Sequence, residues 1–212
     1  MLTRALKALV TAAIWIVLTY LIEPGFALSV PFLTVLGLMV VLNSYQPDYT
    51  TSDQGPREDR RSAQWIVLSV TLPNLVFTVE GALLSYPQSA SFGPLDYAAL
   101  TIAVLGLAIR IHAIHTLGTF FTWHVHIANN QALIETGLYR WLRHPSYLGA
   151  FLFFIALPLS LNAYLAAGLS LVLQASAYRY RIRIEEEAMT RRFGETYTAY
   201  TQRTYAYLPG IY

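Results

Sequence analysis

A dense group of ionisable residues stands out in the second half of this chain. The run Gly137 to Gly149 contains Arg143-His144-Pro145, and three consecutive glutamates, Glu185 to Glu187, follow further along. Arginine and histidine donate hydrogen bonds and carboxylates accept them, so such a group can bind a ligand that carries charges of both signs. Ionisable groups beside apolar segments are costly and are commonly functional. We therefore expect these residues to form a binding or catalytic site.

The elements that position this group are predicted to be membrane-spanning helices. Of the 212 residues, 55% are hydrophobic and only 12% are charged, a composition too apolar for an ordinary soluble domain. A helix needs about 20 apolar residues to cross a hydrocarbon core of roughly 30 Å. Four long apolar stretches and two shorter ones are candidates: residues 6–22, 26–44, 64–85, 97–115, 146–160 and 163–180. We predict an all-α integral membrane protein with about six transmembrane helices.

The basic residues predict the orientation of these helices. All 14 lysines and arginines lie at the N-terminus, in the loops before the third and fifth spans, near the end of the fourth span or after the core of the sixth. Cytoplasmic segments collect Lys and Arg, so both termini and both long polar segments of this multi-pass protein are expected in the cytoplasm. This topology accounts for the net charge of +2, and we expect no nucleic-acid partner. The absence of cysteine excludes disulfides, thiolate metal sites and cysteine nucleophiles.

The last two spans are predicted to form a tight antiparallel hairpin. Only the turn Ser160-Leu161-Asn162 separates them, which is too short for any other arrangement of the two helices. The two cytoplasmic ends of a hairpin are neighbours, so Arg143-His144-Pro145 should lie beside the segment from Arg181 to Glu187. We expect a pocket between them at the cytoplasmic interface.

Pro145 is predicted to begin the fifth transmembrane helix, because proline has no N–H group that the first helical turn would leave unpaired. The N–H groups of Ser146, Tyr147 and Leu148 would then form an anion site, which the helix dipole reinforces. The alternative is that the Arg-His pair before the proline only anchors the helix at the membrane interface. The carboxylates expected nearby favour the ligand-binding interpretation.

Helical spacing separates the roles of the three glutamates. Glu185 and Glu187 each follow an arginine by four residues, a spacing typical of solvent-exposed salt bridges. Glu186 instead falls on a stripe whose other members are apolar and should face the helical bundle: Ile182, Met189 and Phe193. A carboxylate on that face needs a cationic partner, either a protein arginine or the ammonium group of a ligand. Glu186 is therefore the first candidate for a ligand contact and Glu185 the second.

Four further features are open to more than one interpretation. Arg110 lies inside the fourth predicted span, and it either extends to the cytoplasmic interface or holds an anionic substrate group. Gly118 would let the backbone approach a ligand closely. Glu80 is expected to pair within the bundle or reach the outer interface, away from the site. A metal site is not predicted, because no carboxylate stands at ligand spacing from the four neighbouring histidines: His112, His115, His124 and His126.

Several motifs in a fixed order carry a family resemblance. They are Leu117-Gly118, Gly137-x-Tyr139, Arg143-His144-Pro145-x-Tyr147-x-Gly149, Glu185-Glu186 and Phe193-Gly194-x-x-Tyr197-x-x-Tyr200. In this order the chain resembles the isoprenylcysteine carboxyl methyltransferase family and its phospholipid methyltransferase relatives, over about residues 105–210. We therefore expect residues 1–95 to add transmembrane helices. Residues 96–212 should form a methyltransferase-like catalytic core with its cofactor pocket at the cytoplasmic face.

The resemblance implies a transferase that uses S-adenosyl-L-methionine as its cofactor. It assigns the cofactor contacts to Leu117, Gly118, Gly137, Tyr139, His144, Pro145, Tyr147, Glu185 and Glu186. The candidates for catalysis are Arg110 and Arg143. The ammonium group of the cofactor suits Glu186, its carboxylate suits the helix start at Pro145 or the His144 side chain, and its adenine or sulfonium group suits tyrosine rings.

The expected acceptor is lipophilic and reaches the pocket from the bilayer. A carboxylate is ionised at neutral pH and needs no general base, so the carboxylate of an isoprenylcysteine-like or isoprenoid substrate is favoured, with Arg110 orienting it. Alignment of the reactants and removal of water would then supply the rate. The alternative acceptor is a phospholipid amine. It would have to lose a proton, and the sequence shows no assured base for that step.

Two alternatives lie outside the methyltransferase class. Sterol reductases, which bind NADPH, are similar in this region and share an Arg-His segment and an ending like Pro209-Gly210-Ile211-Tyr212. Against them, Pro145-Ser146 and Glu185-Glu186 stand where those enzymes favour other residues. The second alternative is a membrane scaffold with a decayed site, which the intact motifs disfavour.

Overall fold

The computed structural model describes residues 2–47, 59, 61–125 and 132–207, and the secondary structure of these residues is helical. The α-helices, in chain order, are α1 (Leu2–Ile22), α2 (Pro24–Ala27), α3 (Val30–Tyr45), α4 (Ser62–Glu80), α5 (Pro94–Leu117), α6 (Pro145–Leu159), α7 (Tyr164–Phe193) and α8 (Glu195–Gln202). Shorter helical turns continue α4 over Gly81–Ser85, continue α5 over Gly118–Phe120 and precede α6 over Gly137–Arg140. The predicted all-α class is confirmed.

Among the described residues, three helical segments are long and apolar enough to cross a membrane: Thr3–Ile22, Ser62–Ser85 and Pro94–Phe120. The apolar helices α3 and α6 are shorter. The buried core lies between the helices, around residues such as Phe26 and Phe153. Large apolar side chains also point outward, among them Leu21 at 76% exposure and Leu84 at 68%, as expected for contact with lipid. The chain is therefore a membrane protein, and its six spans and cytoplasmic termini stay predictions.

The apolar stretch 26–44, predicted as one span, is divided in the structure. α2 ends before Leu28 and α3 begins after Ser29. The hydroxyl of Ser29 accepts a hydrogen bond from the N–H group of Phe32 and donates one to the carbonyl of Phe26. A side chain that bonds to the backbone in this way caps one helix and favours a break from the helix before it. Residues 26–44 are almost uniformly apolar, so their hydropathy does not indicate this break.

The predicted hairpin of α6 and α7 is confirmed, and Asn162 in its turn adopts a left-handed φ of 58°. Glu80, at the end of α4, fixes the start of α7. Its two carboxylate oxygens accept hydrogen bonds from the N–H groups of Leu165 and Ala166, both at 2.8 Å. A carboxylate at this position also stabilises the positive end of the helix dipole. Glu80 thus pairs within the bundle, one of its two expected states.

A close crossing of α5 and α6 positions Arg110. Gly106 and Gly149 face each other at this crossing, and a Cβ atom on Gly149 would lie 2.6 Å from both the carbonyl oxygen of Gly106 and the backbone nitrogen of Arg110. Small residues let two membrane helices approach this closely. The close packing of the two backbones therefore explains Gly149, which ends the longest sequence motif. The same contact positions Arg110 against the first turn of α6.

The segment after α8 holds the residues that precede α6. The N–H groups of Arg143 and His144 donate to the carbonyls of Tyr205 and Ala206, both at 2.8 Å. Because α6 begins directly after His144, these bonds fix both side chains relative to the helix start. The C-terminal region therefore helps to position the ionisable cluster.

Candidate functional site

Arg143 and His144 lie against two glutamates of α7, as the hairpin predicted. The Nε atom of Arg143 donates to an oxygen of Glu186 at 2.7 Å. The His144 ring lies between both carboxylates, with Nδ1 3.4 Å from Glu185 and Nε2 3.3 Å from Glu186. Segments that are far apart in sequence are therefore in direct contact.

Tyr147 and Arg181 complete the arrangement around Glu185. The hydroxyl of Tyr147 donates to Oε1 of Glu185 at 2.6 Å, and Nε of Arg181 donates to the same oxygen at 2.7 Å. The i,i+4 salt bridge between Arg181 and Glu185 is formed, but only 2% of the Arg181 side chain is exposed, so it is not the solvent-exposed pair for which this spacing is typical. The packing of α4 against α7 buries it, and spacing within α7 does not reveal that contact.

The charges of this cluster stabilise one another. Burial opposes ionisation of each group, but pairing outweighs it. Against burial, hydrogen bonds to Glu185 and Glu186 raise the pKa of His144 above its ordinary value. Against burial, the charge of Arg181 and a hydrogen bond from His144 lower the pKa of Glu185 to about 2. The pKa of Glu186 is also lowered, by His144 and Arg143. The arrangement favours an imidazolium between two carboxylates.

Pro145 begins α6, as predicted. The anion site expected there is formed only in part. The N–H groups of Tyr147 and Leu148 donate to the carbonyl of His144, at 3.0 and 3.2 Å, and so close the first turn of the helix. Ser146 is left as the candidate N–H donor at this helix start.

A cavity lies in front of the cluster. Its polar wall contains four predicted site residues: Arg143, His144, Tyr147 and Glu185. Apolar and aromatic side chains complete the lining, including the predicted residues Leu117 and Tyr139 together with Phe120, Val125, Met189, Tyr197 and Tyr200. The cavity therefore combines a carboxylate with aromatic and apolar surface, a combination suited to a ligand with a cationic group and a flat ring.

The geometry does not support ranking Glu186 ahead of Glu185. Their side chains are 24% and 23% exposed, and both carboxylates reach His144. Neighbouring helical residues point about 100° apart, but two glutamate side chains are long enough to converge on one imidazole. Glu185 lines the cavity, and Glu186 is bound by Arg143 beside it.

Gly118 and Gly137 allow the backbone near the cavity to adopt positive φ angles. Their φ angles are 55° and 59°, a region that glycine reaches at little cost. A Cβ atom on Gly118 would have no neighbour within 4 Å among the described residues, so the positive φ of the turn is the conformational reason for glycine here, and the expected close approach to a ligand stays a prediction. Near Gly137, burial raises the pKa of Tyr139 well above its ordinary range, which keeps that hydroxyl neutral.

Arg110 points into the bundle and does not extend to the interface. Only 6% of the residue is exposed. Nη1 donates to the backbone oxygen and the hydroxyl of Ser146, at 3.1 and 3.0 Å, and Nη2 donates to the amide oxygen of Gln46. Its Cζ atom lies 5.9 Å from the ring centre of Phe121. The hydrogen-bond acceptors found among the described residues are all neutral, so this buried cation is suited to an anionic ligand.

A second cavity of about 420 Å³ adjoins the first, on the side of Arg110. The two cavities share three lining residues: Phe121, Thr122 and Tyr147. The second cavity extends between α1, α3 and α4 along apolar side chains that include Trp15, Met39, Ile66, Val70 and Phe154, with polar side chains among them. The charged residues in its described lining are all basic: Arg4, Lys7, Arg110 and Arg181. A cavity that contains a carboxylate and a cavity whose charged side chains are basic thus meet beside a buried arginine.

Gln46 and Asp59 were not predicted as site residues. Gln46 accepts from Arg110, and Asp59 accepts from Arg181 at 2.6 Å. Both lie in the polar segment between α3 and α4, on the side of the bundle where the site was expected. A search for polar partners of the two buried arginines in that segment could have found them.

Some sequence features lie outside the described residues: His126 and the C-terminal segment 209–212. Within the described ranges, no group of three or more His, Asp or Glu side chains is placed to hold a metal ion.

Comparison with known proteins gives consistent relatives. The sequence profile of the isoprenylcysteine carboxyl methyltransferase (ICMT) family matches residues 99–191. A probable protein-S-isoprenylcysteine O-methyltransferase from Oryza sativa subsp. indica is 30% identical over 148 residues, which cover 68% of this chain and 76% of the rice protein. The human protein-S-isoprenylcysteine O-methyltransferase is 32% identical over 144 residues, 65% of this chain and 48% of the human one. The chain therefore spans about half the length of the human relative.

A solved structure described as the eukaryotic intramembrane Ras methyltransferase ICMT has the same fold. Its TM-score with this chain is 0.68 at 24% sequence identity, covering 95% of this chain and 74% of the other. The helical membrane fold and the paired cavities, taken with these relatives, define the class as an integral membrane methyltransferase. The chain belongs to the isoprenylcysteine carboxyl methyltransferase family.

Proposed function

We propose that the protein transfers a methyl group from S-adenosylmethionine to the carboxylate of an isoprenylcysteine-like or isoprenoid acceptor. The observation that carries this proposal is the meeting of two unlike cavities at Phe121, Thr122 and Tyr147, with Arg110 beside them. One cavity suits a polar, partly aromatic donor, and the other suits a lipophilic chain. Family membership supplies the reaction class.

The residues of the first cavity fit the donor chemically. S-Adenosylmethionine carries an electrophilic methyl group on a cationic sulfonium. Glu185 would bind the cationic part of the donor, because its pKa of about 2 keeps it ionised at neutral pH. His144, as imidazolium, and the N–H group of Ser146 would bind a carboxylate. Aromatic residues such as Tyr139 would lie against the adenine ring.

Arg110 is the proposed partner of the acceptor carboxylate. It is buried, lines the second cavity and offers hydrogen bonds from a fixed guanidinium. A carboxylate oxygen of the acceptor would form the new bond to the methyl carbon while the bond from sulfur to that carbon breaks. No proton is transferred, so no general base is required. Alignment and exclusion of water by the wall at Phe121 and Tyr147 would supply the rate.

Arg143 is proposed to support the site and not to contact the reacting atoms. Its guanidinium donates to Glu186 and to the carbonyls of Thr201 and Thr204. These bonds engage Nε and Nη1 and connect the residues before α6 to α7, to the last turn of α8 and to the residues that follow α8. The sequence-based assignment of Arg143 to catalysis therefore becomes a proposal for a positioning role.

The whole site is proposed to face the cytoplasm, where the donor is available. The division into an N-terminal helical region, 1–95, and a catalytic core, 96–212, stays a prediction. Contacts cross that boundary, since Gln46 bonds to Arg110 and Asp59 bonds to Arg181. The N-terminal helices are thus proposed to form the acceptor side of the site.

Isothermal titration of detergent-purified protein tests the donor. We expect S-adenosylmethionine and S-adenosylhomocysteine to bind and NADPH not to bind. Binding of NADPH alone would contradict the proposal and favour the reductase alternative. Absence of measurable binding for all three ligands would favour a scaffold with a decayed site.

A further inference from the structure

Asp59 lies outside the donor cavity but is connected to it. The residue is only 3% exposed and precedes α4. Its Oδ1 atom accepts hydrogen bonds from Nη1 of Arg181 at 2.6 Å, from the N–H group of Val125 at 2.8 Å and from the hydroxyl of Ser62 at 3.0 Å. Burial tends to raise the pKa of Asp59, but these bonds and the arginine charge lower it, so the carboxylate is ionised.

Arg181 is shared between two carboxylates. Its Nη1 atom donates to Asp59 and to Ser62, while its Nε atom donates to Glu185 at 2.7 Å and to the Tyr147 hydroxyl at 3.2 Å. Arg181 thus donates to Glu185 through Nε, while its Nη1 atom is engaged by Asp59 and Ser62. The second oxygen of Glu185 is then directed to His144, 3.4 Å away.

We propose that Asp59 is a positioning residue for the methyl donor, acting through Arg181 on Glu185. Without the charge of Asp59, Glu185 would be the remaining carboxylate partner of Arg181 among the described residues. The undivided charge of the guanidinium would then draw Glu185 into a two-bond pair with Nε and Nη2, the geometry that arginine and carboxylate prefer. Glu185 would then be withdrawn from the donor. The same carboxylate also holds Val125, which lines the donor cavity. This inference rests on the proposed function, because it concerns the affinity for the donor.

A purely structural role is the competing explanation, since Asp59 also links α4 to α7. Glu80 provides the matched control. It is a buried carboxylate at the other end of α4, 6% exposed, and it bonds only to the start of α7 in the described structure. Loss of its charge removes a comparable link between the same helices without reaching the donor cavity.

A double-mutant cycle separates the two explanations. Asp59→Asn should raise the Kd for S-adenosylhomocysteine about tenfold, or ~1.4 kcal/mol. In a Glu185→Gln background the same substitution should change the Kd less than about twofold, because the residue through which it acts is no longer charged. Glu80→Gln should lower the melting temperature and leave the Kd within about twofold.

The outcomes are distinguishable. If the unsubstituted protein does not bind S-adenosylhomocysteine, the proposed function fails and this inference fails with it. If it binds, but Asp59→Asn has no effect or has an equal effect in both backgrounds, only the inference fails. If Asp59→Asn does not yield folded protein, Ser62→Ala takes its place, because it removes one bond to Arg181 and keeps all charges. It should raise the Kd about threefold, and only when Glu185 is present.

Discussion

The ionisable side chains of this site differ in how their charges are balanced. The charges of Glu185 and Glu186 are balanced within the protein by three cationic side chains in contact with them: Arg143, His144 and Arg181. Arg110 has neutral acceptors among the described residues, although it is buried. A charge balanced inside the protein suits positioning, whereas a charge that lacks a counter-ion suits a ligand of opposite sign. At the scale of single residues, this contrast supports the proposal that Arg110 binds the acceptor carboxylate.

Arg110→Gln should therefore affect the acceptor and spare the donor. A hydrogen bond to a charged group contributes about 1.5–3 kcal/mol, so kcat/KM for a carboxylate acceptor should fall roughly 10- to 100-fold. The Kd for S-adenosylhomocysteine should stay within about twofold. Steady-state kinetics with varied acceptor and a binding titration make the comparison. If the substitution weakened only the binding of the donor, the proposal that Arg110 binds the acceptor would be wrong.

The pairing of His144 predicts a pH dependence of stability. Its pKa is raised in the folded protein, so its contribution is fully present below the ordinary value of 6.5 and is lost as pH rises through the raised pKa. Glu185 does not change over this range, because its lowered pKa matters only below its ordinary value of 4.5. The difference in melting temperature between the unsubstituted protein and His144→Gln should shrink as pH rises. Scanning fluorimetry at a series of pH values measures it, and a difference that widens with pH would contradict the pairing.

Helix packing sets the distances between these residues. The hairpin of α6 and α7 brings the Arg-His pair to the glutamates, and the crossing of α5 and α6 at Gly149 brings Arg110 to Ser146. The hairpin could be predicted because such a short turn between two apolar stretches allows only an antiparallel pair of helices. The burial of Arg181 could not be predicted, because it depends on a contact with Asp59, which is 122 residues away in the sequence. Local spacing carries no information about such a contact.

Gly149→Ala tests the crossing. The added methyl group would meet backbone atoms of α5 at 2.6 Å, which cannot move aside as a side chain can. We expect a loss of about 1–3 kcal/mol in the free energy of unfolding together with lower activity. Gly168→Ala in α7 is the control, because its Cβ would meet nothing within 4 Å in the described structure. Equal melting temperatures for the two variants would rule out the close crossing as the reason for Gly149.

The whole molecule contains two adjoining cavities, and the proposed function requires them to open to different phases. The proposed donor would come from water and the proposed acceptor from lipid, so the orientation of the bundle in the membrane determines whether both can enter. The distribution of Lys and Arg predicts an orientation with the site in the cytoplasm, and this orientation stays a prediction, whereas the predicted helical class is confirmed. The sequence could not predict that α1, α3 and α4 line the second cavity, because these helices carry no recognised motif.

Single-cysteine labelling tests the orientation, and the natural chain contains no cysteine to interfere. Thr198→Cys lies on the exposed surface of α8, and Gln88→Cys lies in the exposed turn before α5. In intact cells of an expression host, a membrane-impermeant maleimide should label the Gln88→Cys variant and not the Thr198→Cys variant. Both should react after the cells are broken. The reverse pattern in intact cells would place the site on the outer face.

Transfer of a labelled methyl group tests the central claim most directly. Purified protein would receive S-adenosylmethionine with a radioactive methyl group and S-farnesylcysteine whose amine is blocked, with the matching carboxamide as the control acceptor. The account predicts a lipid-soluble product that forms only with the free carboxylate and that releases labelled methanol in mild base, as a methyl ester does. Label that resists base, or that appears equally with the carboxamide, would contradict methylation of a carboxylate.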